Sequence, residues 1–99
     1  METREFFEKL ITDYRENWIF ENNADNNVLS GPLKKISLSG GRVYFDCHYM
    51  KNKGFNGKLF DWPIHSFSYD LVDVVAFRLE KGAFLFRHKE YGVFRVRPQ

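Results

Sequence analysis

Three histidines, one cysteine and thirteen carboxylates are the side chains in this 99-residue chain that could hold a metal or drive covalent chemistry. Their spacing argues against both. His48, His65 and His88 are far apart in sequence, and no Cys-x-x-Cys or His-x-x-x-His pair puts two ligands on one face. Cys47 and His48 are adjacent, so on a strand they point to opposite sides. A Cys47 nucleophile would need a distant histidine, and the patterning around it puts its thiol on an apolar face, where a free cysteine is packing. Asp61, Asp70 and Asp73 flank turns, where aspartate belongs without any acid–base role. "GGR" and "GFNGK" read as hairpin turns rather than phosphate cradles. The expectation is no enzyme, no metal and no cofactor.

Recognition chemistry is better represented. Arg78, Arg87, Arg95 and Arg97 fall at strand-like spacing, alternating with phenylalanine and valine, so one sheet face would gather them. "NKGFNGKLFDW", residues 52–62, adds Lys53, Lys58, Phe55 and Trp62. Charge with aromatic rings suits single-stranded nucleic acid. Arginine with tyrosine and tryptophan also suits a protein interface, where these residues carry most of the binding energy. The leading expectation is a small binding protein of the inhibitor, immunity or adaptor type that acts on a protein partner. The alternative is a nucleic-acid-binding module that uses the basic face.

These side chains need a scaffold, and the chain supplies one domain, 1–99. Hydrophobic residues make up 43% and aromatic residues 18%, which excludes a disordered chain. Residues 1–33 hold three basic and seven acidic side chains, and residues 34–99 hold twelve and six, so the two parts present opposite fields. A lone cysteine forms no internal disulfide and fits a reducing compartment. "METREFFEKL" is acidic and unlike a signal peptide, and no run reaches membrane-spanning length. A cytosolic protein without membrane contact is expected.

Residues 3–20 carry a helical stripe of Phe6, Phe7, Leu10, Ile11, Tyr14 and Trp18, with Thr3 placed to cap it. "ENNADNN" follows as a loop. After Pro32 the period becomes two. "KKISLSGGRVYFDC" predicts a hairpin turning at Gly40-Gly41, which pairs Leu38 with Val43, Ile36 with Phe45 and Lys34 with Cys47. "VAFRLEKGAFLFRH" predicts another at Lys81-Gly82, which pairs Leu79 with Phe84, Phe77 with Phe86 and Val75 with His88. Asn56-Gly57 signals a third, with Pro63 confining its second arm to an edge or a bulge. The fold class is α+β: an N-terminal helix packed on a curved antiparallel meander of five or six strands, open or barrel-like. A long edge strand would leave room for a homodimer.

Overall fold

The computed structural model of the chain describes residues 1–24, 27–54 and 56–99. Helix α1, Thr3–Asp13, buries Phe6, Phe7 and Leu10. Its start is tied by Glu2 N–H, which donates to Glu5 Oε1 at 3.0 Å, so Glu2 rather than Thr3 is the cap. The helix ends at Asp13, short of the expected 3–20. Arg15 folds back and donates to the carbonyls of Thr12, Asp13 and Tyr14, closing the orphaned acceptors of the last turn. Tyr14 Oη then donates to Leu33 O at 2.5 Å, and Leu33 N–H donates to Trp18 O at 2.6 Å. Hydrogen bonds to a distant strand replace the helical ones. Tyr14 and Trp18 still pack on the core, but from a turn that follows the helix, where Trp18 N–H donates to Arg15 O at 3.3 Å.

Nine antiparallel strands follow among the described residues: β1 Ile19–Ala24, β2 Asn27–Ser39, β3 Arg42–Cys47, β4 Met50–Lys53, β5 Leu59–Trp62, β6 Ser66–Asp70, β7 Val74–Glu80, β8 Ala83–His88 and β9 Gly92–Arg97. The sheet runs β5-β4-β2-β1-β9-β8-β7, with β3 between β2 and β6. It is not closed into a barrel. The α+β class with an N-terminal helix holds, and the strand number rises from the expected five or six to nine. Two causes account for the difference. The stretch read as an Asn-rich loop forms β1 and the start of β2, because β9 and β2 supply ladder partners on both sides of β1. The third hairpin is split: β4 pairs β5, whereas β6 pairs β3.

That split marks a bend. The β2–β3 register shifts between Leu33 and Lys35, the second line breaks between β3 and β4, and the third breaks after Trp62 at Pro63, which has no N–H to donate. Leu33, not Lys34, therefore faces Cys47. At the bend the backbones approach closely, and a Cβ on Gly31 would lie 2.0 Å from Tyr49 O. The bent halves face each other across a stack of rings. Phe20 lies on Phe45 at 4.7 Å, Phe86 on Phe94 at 4.7 Å, and Phe45 on Phe86 at 5.9 Å, all close to parallel. Helix α1 seals the stack, with Phe6 against Phe77 at 4.9 Å and Phe7 against Phe86 at 5.0 Å.

Candidate functional site

The β7–β8 register is Leu79–Phe84, Arg78–Leu85, Phe77–Phe86 and Ala76–Arg87, as the period-two pattern requires. A bulge between Val74 and Ala76 moves the partner of His88 from Val75 to Val74. Strand β9 continues the rows, setting Arg95 opposite Leu85 and Val93 opposite Arg87. Phe77, Phe84, Phe86 and Phe94 pack into the ring cluster. Their alternates, Ala76, Arg78, Leu85, Arg87, Val93 and Arg95, take the outer side.

There they form a shallow groove of about 340 Å³ lined by Ala76, Phe77, Arg78, Leu85, Phe86, Arg87 and Val93, with Arg95 beside it across from Leu85. The uncharged side chains directed outward there, Ala76, Leu85 and Val93, are aliphatic, while the rings of Phe77 and Phe86 pack toward the core. Arg78 reaches Glu80 at 2.8 Å, a pair exposed on both sides and so weakly held. Among the described residues, no carboxylate lies within ion-pair distance of Arg87 or Arg95. Arg97 shares the face but belongs to a different contact. Its Nε donates to Glu21 Oε1 at 2.7 Å, with the Glu21 side chain largely buried. It is engaged within the fold, outside the groove.

The second group of predicted residues does not extend this surface. Lys53 is exposed on β4 opposite Leu59, and Lys58 is exposed in the following turn. Trp62 is half-buried at the end of β5, packed on the core and 6.3 Å from Phe60. Phe55 lies outside the described residues. Five strand spacings, roughly 24 Å along the sheet, separate β5 from β8. Within this segment, Leu59–Trp62 pairs with Met50–Lys53 as β5 on β4. Gly57 has φ 79°, and its N–H donates to Gly54 O at 2.9 Å, so its loop is one residue longer than the two-residue turn expected from Asn56-Gly57.

Cys47 is 2% exposed, and burial, with Asp46 adding to it, pushes its thiol up to about 12. Among the described residues no three His, Cys, Asp or Glu side chains gather as a metal site. His88 is buried, and its Nδ1 accepts from the N–H groups of Glu90 and Tyr91, which leaves its proton on Nε2 toward Asp73 at 3.9 Å. This histidine ties a turn. A polar hollow of about 410 Å³ bounded by Glu16, Asn17, Pro32, His48, Tyr49 and Gln99 was not anticipated, because its walls meet only at the bend. Glu21 was missed too, hidden in the stretch read as loop. The alternation of Phe20 and Asn22 with Glu21 and Asn23 was the only local signal for a strand there.

No helix among the described residues is long and apolar enough to cross a membrane. No protein family, curated protein or solved structure matches the chain.

Proposed function

We propose that this chain is a small cytosolic, non-enzymatic binding protein that docks a protein partner on the outer face of β7–β9. One observation carries the reading: Arg78, Arg87 and Arg95 surround the outward side chains of Ala76, Leu85 and Val93, while the rings of Phe77, Phe84, Phe86 and Phe94 pack toward the core, Phe77 and Phe86 also bordering the groove. Binding of single strands relies on bases stacking against exposed rings. Aliphatic side chains among arginines instead suit an apolar side chain flanked by carboxylates, and guanidinium forks pair with carboxylates in bidentate fashion. The lone buried thiol suits a reducing compartment.

The test compares wild type with the double variant Arg87→Gln/Arg95→Gln. Captured from host extract, the wild type retains a protein partner after nuclease treatment. The double variant loses at least about tenfold in affinity, since each hydrogen bond to a charged group contributes roughly 1.5–3 kcal/mol. Single-stranded RNA, single-stranded DNA and duplex do not bind at low salt. If one of them binds, with a log–log salt slope of about −0.7 per contact on single strands or −0.9 on duplex, and the double variant flattens that slope, the face belongs to nucleic acid.

A further inference from the structure

Strand β5 is an edge of the sheet, pairing β4 on one side and nothing on the other among the described residues. Gly54 N–H donates to Lys58 O at 3.3 Å, which sets the alternation along the hairpin. Asn52–Phe60 and Met50–Trp62 are then the hydrogen-bonded pairs. The N–H and C=O of Leu59 and Asp61 point the other way, to the open edge. Leu59 is 68% exposed and Phe60 48% exposed. Asp61 pairs with Lys51 across the ladder, and Lys58 and Pro63 flank a strand only four residues long, so the edge is open at the backbone groups of Leu59 and Asp61 alone.

We propose that two copies of this chain pair antiparallel through β5, centred on Phe60. A two-fold axis normal to the sheet keeps each face on its own side, so opposed residues must share a face. That admits registers centred on Leu59, Phe60 or Asp61. Centring on Asp61 opposes two aspartates and sets Leu59 against Pro63, which has no N–H. Centring on Leu59 runs Asp61 into the turn at Gly57. Centring on Phe60 opposes Leu59 to Asp61 of the second copy, the residues whose free backbone groups point outward, and four hydrogen bonds close. Phe60 meets Phe60 of the second copy, and Lys58 lies over the indole of the opposing Trp62. The occupant is a second copy because this strand complements itself about one residue. The two arginine grooves then share one side of a continuous sheet.

Site-directed crosslinking and sedimentation test this. In a non-hydrogen-bonded pair, facing Cβ atoms are about 4.5–5.5 Å apart, so Phe60→Cys forms a disulfide-linked dimer on mild oxidation. Leu59→Cys meets its counterpart only on the diagonal, about 7–8 Å away, and crosslinks at least about tenfold more slowly. Wild type, whose Cys47 is buried, does not crosslink. In sedimentation the wild type is dimeric across the micromolar range. Phe60→Glu opposes two like charges and raises the dissociation constant at least about tenfold while circular dichroism stays that of the folded chain. A wild type monomeric throughout that range overturns the proposal and leaves the edge to a foreign strand. Equal crosslinking of the two cysteine variants overturns the register.

Discussion

Asn52 shows how little of a polar residue's situation is visible without its neighbours. It sits on β4 opposite Phe60, 4% exposed, and its Oδ1 has no hydrogen-bond partner among the described residues. An orphaned buried acceptor costs roughly 1–3 kcal/mol, whereas an apolar side chain of similar size carries no such penalty. Asn52→Leu should therefore unfold at higher urea, stabilised by about 1 kcal/mol. An equal or lower midpoint would mean that the amide is satisfied in solution. Asn22, in the stretch read as an Asn-rich loop, is the contrast. Its Nδ2 donates to Tyr91 O at 2.8 Å and Val93 O at 3.3 Å, pinning the start of β9 to β1. Both residues read alike in the sequence, because side-chain satisfaction is set by strands far away in the chain.

Turns explain why the hairpins could be read so closely. Gly40 and Gly41 have φ 56° and 78°, and Lys81 and Gly82 have φ 51° and 80°, the left-handed pairs that a two-residue turn needs to match strand twist. Such a turn fixes register, so Phe77–Phe86 and Ile36–Phe45 followed from local chemistry. Gly92 has a similar φ of 81°, but its setting differs. A Cβ there would lie 2.4 Å from Asn23 O, whereas one on Gly82 would meet nothing. Gly82→Ala should cost roughly 1–2 kcal/mol, the left-handed penalty alone. Gly92→Ala should cost on the order of 3 kcal/mol, because β1 and β9 must also part. Thermal unfolding of both variants measures the difference, and equal losses would show that β1 and β9 yield at this point. The bulges at Leu33 and Val74 escaped the sequence pattern because each is imposed by the bend or the sheet end, where period two simply skips a residue.

Across the whole molecule, the resolved ionisation shifts all run upward, and all point to one pH response. Burial raises the Cys47 thiol to about 12, and burial raises the phenols of Tyr69 and Tyr14. Hydrogen bonds to Asp61 and Asp73 raise the ammonium groups of Lys51 and Lys89. In each case the fold favours the protonated form. Stability from these groups is fully present below their unfolded values, beginning at roughly 8.5 for cysteine, and is lost as pH rises toward 12. The urea midpoint should therefore hold flat from neutral pH to about 8.5 and then decline. Cys47→Ala should decline less steeply between pH 9 and 12, although its cavity lowers the plateau. A slope unchanged by that substitution would place the loss in the tyrosines and lysines.

The sequence by itself determined the class of the molecule, the helix stripe, two hairpin registers and the outward position of Arg78, Arg87 and Arg95. These features rest on periods of 3.6 and 2 and on turn glycines, all legible over a few residues. Tertiary structure alone decided where the helix stops, since Leu33 draws Tyr14 and Trp18 into the sheet. It also made a strand of Ile19–Ala24 by flanking it with β2 and β9. It took Arg97 out of the basic group by setting Glu21 beside it, and it placed the lysines and Trp62 of residues 52–62 at the far end of the sheet. Those outcomes depend on partners up to 76 residues away, as Arg97 and Glu21 are. Local propensity carries no record of contacts at that separation, because loop closure and packing select them only when the whole sheet has formed.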